Sequence, residues 1–250
     1  MRQVRVADRR GSYRRRIRLV STEPGTVVGD LEDDFHRFRV TLRHGDGAVR
    51  SVRAESLRFP WSACPAAADP LHGLEGMTLA TRFTAAMERL NPRRTCTHMF
   101  DLAALCITHA ARETARRQYD LEVPPRDGHR IEPRLWRDGG LLLHFVLEER
   151  ELVSPPPYSD VPWRGGFIQW ADGALDPETA EAAIVLRRAS EIGMGRGMDL
   201  DTLDTAESLL PIMSGSCFTM QPGVAEHATR NKVSIRDYGD DPDGLLHHDG

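Results

Sequence analysis

The chain has 250 residues, of which 40% are hydrophobic and 28% charged, with a net charge of −4; this is the composition of a globular protein that buries a core without staples. No apolar run of about 18 residues occurs, which excludes a membrane-spanning helix. The four cysteines are scattered with no C-x-x-C pair, which excludes a zinc finger and a disulfide frame.

The start, Met1-Arg2-Gln3-Val4-Arg5, runs into more charge instead of an apolar leader, so a cytoplasmic protein is expected. Arg2, Arg5, Arg9, Arg10, Arg14, Arg15 and Arg16 make residues 1–16 a basic arm, and Asp237, Asp240, Asp241, Asp243 and Asp249 make residues 236–250 an acidic tail. The arm has no interleaved aromatics and no binding module around it, so nucleic acid is not an expected partner; a charge block of this kind is a solvated segment that folds back on the opposite charge.

From Ile17 the pattern turns to period two. Phe38, Val40 and Leu42 alternate with polar residues, and His44-Gly45-Asp46-Gly47 is a turn ahead of a returning strand. In that register His36 points inward. Residues 66–75 and 78–90 read as helices, the second ended by Asn91-Pro92. Residues 99–118 read as a longer helix with Leu102, Leu105, Cys106 and His109 on one face. Val123 to Gly128 reads as a linker. Beyond it a hairpin turns at Arg137-Asp138-Gly139-Gly140, Phe167-Ile168-Gln169-Trp170 reads as a strand, and Asp176-Pro177 opens a helix that Gly193 stops.

Residues 77–103 align without gaps to 198–224 and share Met77/Met198, Leu79/Leu200, Thr84/Thr205, Cys96/Cys217 and Met99/Met220 among others. The expected fold is therefore α+β, with two similar lobes, 17–122 and 129–235, each a small antiparallel sheet packed with helices.

Glu32-Asp33-Asp34-Phe35-His36, Arg58-Phe59-Pro60-Trp61-Ser62-Ala63-Cys64-Pro65, Cys96-Thr97-His98-Met99-Phe100-Asp101 and Ile192-Gly193-Met194-Gly195-Arg196-Gly197-Met198-Asp199 together resemble the bacterial domain-of-unknown-function family 2889. The resemblance runs from about Val27 to Asp237 and implies a bacterial cytosolic protein. It assigns no role to any residue.

Cys96 and His98 stand where a helix begins, a position that favours a thiolate; Cys96 is thus a candidate nucleophile, although Cys217 at the matching place points to scaffold. Cys64, Cys96, His98 and His36, with Asp34 near in sequence, are zinc-ligand types without a zinc spacing. Histidine acid-base chemistry ranks first: His36 follows Asp33 and Asp34, and His98 has Asp101 three residues on, within reach across one helical turn. Trp61, Tyr158 and Trp163 are candidates to line an apolar pocket, and Arg196 and Arg230 to grip a carboxylate. Gly193-Met194-Gly195-Arg196-Gly197 follows a helix rather than a strand, so it is no dinucleotide loop.

The expected function is a cofactor-independent catabolic enzyme (a lyase, isomerase or hydrolase) acting on a hydrophobic, aromatic or carboxylated small molecule. The alternatives are a non-catalytic ligand-binding or accessory protein and a zinc-dependent hydrolase. No metal, cofactor, nucleic acid or membrane partner is expected, and a homo-oligomer is left open.

Overall fold

The computed structural model describes residues 5–7, 9, 11–149, 151–159 and 161–247. After the two-residue strand β1 (Arg5–Val6), the chain enters β2 (Tyr13–Glu23), β3 (Thr26–Asp33), β4 (Arg37–Gly45) and β5 (Ala48–Arg58), an antiparallel meander. On β2 the alternate residues Tyr13, Arg15, Ile17 and Leu19 are buried, the period of a sheet with one covered face. A 3-10 helix (Pro65–Leu74) and the short helix α1 (Ala85–Arg89) then lead to α2 (Thr97–Ala111), which packs on β2, β3 and β4. Phe38, Val40 and Leu42 meet Met99, Phe100, Leu102 and Ala103 there in one core; each large apolar side chain so buried contributes about 1.5–3 kcal/mol.

The sheet then continues. Strand β6 (Arg116–Val123) pairs with β2, β8 (Arg134–Arg137) with β6, and β9 (Gly140–His144) with β8. The order β5-β4-β3-β2-β6-β8-β9 makes a single seven-stranded antiparallel sheet. Strands β7 (Arg130–Ile131), β10 (Leu147–Glu148) and β11 (Glu151–Leu152) form a small second sheet. Helices α3 (Phe167–Ala174) and α4 (Pro177–Gly193) pack together, with α4 laid on β2, β6, β8 and β9. Strand β12 (Met198–Asp199) pairs with β1, and the short helix α5 (Leu210–Met213) lies in the last, mostly irregular stretch.

The protein is α+β, as expected, but the hairpin beyond Val123 extends the first sheet instead of starting another, because β6 completes the free edge of β2. The stretches 17–122 and 129–235 therefore share one sheet. The counterpart of α2, residues 218–232, holds no helix; Pro222 and Gly223 fall inside it.

The basic start is more than an arm. Tyr13 to Arg16 belong to β2, where Arg14, Arg15 and Arg16 meet Glu122, Asp33 and Asp120 at 3.0, 2.7 and 2.6 Å. Arg2, Arg10 and Asp249 lie outside the described residues. From the acidic end, Asp237 reaches Arg196 at 2.5 Å, the Leu246 amide donates to Glu32, and Leu245 and Leu246 are buried.

Three elements differ from their sequence reading. Helix α2 stops at Ala111, because Glu113 takes a left-handed φ of 52° of the kind that closes helices, so Arg116 and Arg117 begin β6. Thr78, Thr81 and Thr84 are poor helix formers, and only Ala85–Arg89 is helical, with Thr78 bridged to Ala48. Phe167 to Trp170 is helical because Phe167 and Ala171, four apart, are the buried stripe of α3.

Candidate functional site

Three side chains meet where the end of β3, the start of β4 and the start of α2 converge. Asp33 is fully buried. Its Oδ1 accepts from the amides of Phe35 and His36, each at 2.8 Å, and faces His36 Nδ1 at 3.0 Å. Its Oδ2 accepts from Tyr13 Oη at 2.7 Å and from Arg15 Nη2 at 2.7 Å. Burial alone would push this carboxyl up, but His36 and Arg15 outweigh it and hold the group well below the usual carboxylate range. The His36 ring, 12% exposed, lies 4.0 Å from that of His98, centroid to centroid, with the planes tilted by 32°.

His98 is placed by the first turn of α2 and is buried; its Nδ1 is 3.8 Å from Cys96 Sγ and its Nε2 has no hydrogen-bond partner. Burial, with the nearby His36 and Arg15, holds its pKa well below the usual imidazole value, so the ring is neutral at physiological pH. One turn on, Asp101 is buried too. Its Oδ2 is 3.4 Å from Arg188 Nε of α4, its Oδ1 has no partner, and burial pushes its pKa up.

The carboxylate that orients a histidine is thus Asp33 on His36, not Asp101 on His98. Of the two carboxylates ahead of His36, Asp34 was the one expected at the site, since nothing in sequence separates it from Asp33; Arg188, one of an arginine pair inside a well-formed helix, carries no sequence signal at all. Cys96 is the N-cap of α2 without a side-chain cap, yet burial, with Cys64 and Cys217 nearby, pushes its thiol pKa well up. Desolvation outweighs the helix terminus here. Asp34 is hydrogen-bonded to Arg196, which also holds Asp237; burial pushes Asp34 up to about 6 even so.

The other expected binding residues are engaged elsewhere. Arg230 lies over the Trp61 ring, meets Asp201 at 2.8 Å and donates to the carbonyls of Pro60 and Asn231. Tyr158 and Trp163 pack around Phe145, with Phe167 and Trp170 completing an aromatic cluster.

Asp33, His36 and His98 offer ligand atoms within 4.8 Å of one another, the one such group among the described residues. Their chemistry fits a cation poorly. Both Asp33 oxygens already accept from several donors, one of them the Arg15 guanidinium, which leaves two imidazoles where catalytic zinc takes three protein ligands. The arrangement instead suits proton transfer: a carboxylate fixes the His36 tautomer with Nδ1–H toward Asp33, leaving Nε2 as a base beside a second, neutral ring.

These features define an α+β protein whose sheet carries a buried carboxylate next to paired imidazoles. Residues 20–112 match the family described as "Protein of unknown function (DUF2889)", which assigns this part of the chain to that family, in line with the resemblance. The matched stretch holds Asp33, His36, Cys96, His98 and Asp101, but not Tyr13, Arg15 or Arg188. No curated protein matches the chain. No helix among the described residues is long and apolar enough to cross a membrane.

Proposed function

We propose that the protein is a cofactor-independent catabolic enzyme, a lyase, isomerase or hydrolase, that moves protons on a small aromatic or carboxylated molecule through His36 and His98. The observation that carries the reading is the 3.0 Å contact from His36 Nδ1 to a carboxylate held ionised by Arg15. His36 Nε2 takes the proton, Asp33 stabilises the imidazolium, and neutral His98 serves as the second acid-base partner. Asp33, Arg15 and Tyr13 position the pair. All four cysteines are free, which supports a reducing, cytoplasmic setting.

The test is a thermal-shift screen of small carboxylates and aromatics, followed by turnover of each stabilising compound. Loss of turnover in His36→Gln with ligand binding retained is expected. Full turnover in that variant overturns the reading, and a stabilising ligand that the wild-type protein never converts makes it a binding protein.

A further inference from the structure

Three polar atoms at one corner of the molecule make no hydrogen bond, although one of them, Arg188 Nε, has an ion contact. They are Nε2 of His98 and Oδ1 of Asp101, both on the same face of α2, and Nε of Arg188 on α4, which reaches Asp101 from that helix. His98 and Asp101 are each only 8% exposed. Arg188 is the more open of the three, with its side chain 21% exposed, and its one ion contact among the described residues is Asp101 at 3.4 Å. Buried polar groups are nearly always satisfied, and an orphan in a native structure marks a missing water or ligand. Three together, differing in kind, describe what is missing.

We propose that this corner is the substrate-recognition subsite for a small hydroxycarboxylate. The Arg188 guanidinium takes an anionic acceptor, the geometry for which arginine is suited. Asp101 Oδ1, an acceptor, takes a hydrogen bond donated by a hydroxyl. His98 Nε2 faces the same group and, with its ring 4.0 Å from that of His36, brings the bound molecule against the acid-base pair. Glu191 and Arg187 of α4 are close enough to Asp101 to act on its charge, and they hold each other at 2.9 Å, so Arg188 is the cation left to the ligand. The solvent-facing side of Arg188 is the way in. The substrate class rests on the acid-base reading of His36 and His98; the subsite itself does not.

The test uses lactate and mandelate as probes, with phenylacetate lacking the hydroxyl and 1-phenylethanol lacking the carboxylate as comparators, and calorimetry on the whole chain. At least one hydroxycarboxylate binds the wild-type protein, more tightly than its comparators. Arg188→Gln weakens it by roughly tenfold or more, and Asp101→Ala, which removes the acceptor, removes the preference for the hydroxylated acid. Should Arg188→Gln fold poorly, the Arg188 Nε–H resonance of the wild-type protein shifts when the acid is added. Probes that do not bind, or that bind without moving that resonance, leave the three atoms to ordered water and overturn the subsite. Binding with these features alongside full turnover in His36→Gln overturns the acid-base reading alone.

Discussion

The imidazoles of His36 and His98 lie with centroids 4.0 Å apart, a separation at which two positive charges repel by about 1–4 kcal/mol. One ring must stay neutral, and burial selects His98. Its folded pKa lies below its unfolded value of about 6.5, so its contribution to stability is present above pH ~6.5 and is lost as pH falls from there. Urea unfolding at pH 7.5 and 5.0 checks this: the wild-type protein loses more stability than His98→Gln. His109, held near 4 by burial, loses stability in the same direction, while Asp34, raised to about 6, gains it; both cancel in the comparison of variants. An equal loss in both proteins sinks the assignment.

Asp33→Asn leaves Arg15, 3% exposed, without its counter-charge. Breaking a buried pair from one side costs about 3–5 kcal/mol, read as a drop in the urea midpoint. Because the folded carboxyl is depressed, the wild-type advantage holds at all pH above ~4 and shrinks only as pH falls below that. A variant of near wild-type stability at pH 7 contradicts this role.

Cys64, Cys96 and Cys106 are buried and Cys217 is half-buried, and burial pushes the pKa of all four up. The folded protein should react slowly with a thiol reagent at pH 7.5, and denaturant should release four fast equivalents. A single fast thiol that maps to Cys96 would restore it as a nucleophile.

A Cβ on Gly29 would sit 2.7 Å from Cys106 Sγ and 3.0 Å from Leu102 Cδ1. Gly29→Ala is expected to cost about 1–3 kcal/mol by overpacking β3 against α2. Adding Cys106→Ala makes room, so the double variant loses less than the sum of the single ones, by at least ~0.5 kcal/mol. Additive losses would show that the contact does not set the spacing.

Chelation offers the fourth check on the site. With Asp33 committed to Arg15, Tyr13 and His36, a chelator should leave the melting temperature unchanged, and elemental analysis of the purified protein should find no stoichiometric ion. One zinc per chain, lost together with His36, refutes this.

The α+β class, the meander and its turns, and helix α4 with its Asp176 cap were legible because period and capping are local signals. The site was half legible. His36 and His98 stand out as ionisable residues at element boundaries, but Asp33 became the partner only through a turn that folds the His36 ring back onto it, and Arg188 arrives from 90 residues on. The continuous sheet was not legible either, since the pairing of β2 with β6 leaves no trace in the pattern of either strand.

That pairing has a consequence for biosynthesis. Arg16 and Asp120 meet across 104 positions, so at about 5–20 residues per second one side of β2 stays open for several seconds while the ribosome works toward its neighbour. The nascent meander thus carries a naked strand edge of the kind that recruits wrong partners, and Arg14 and Arg16 along it, whose partners Glu122 and Asp120 come with β6, supply the mutual repulsion that keeps two such edges apart until then.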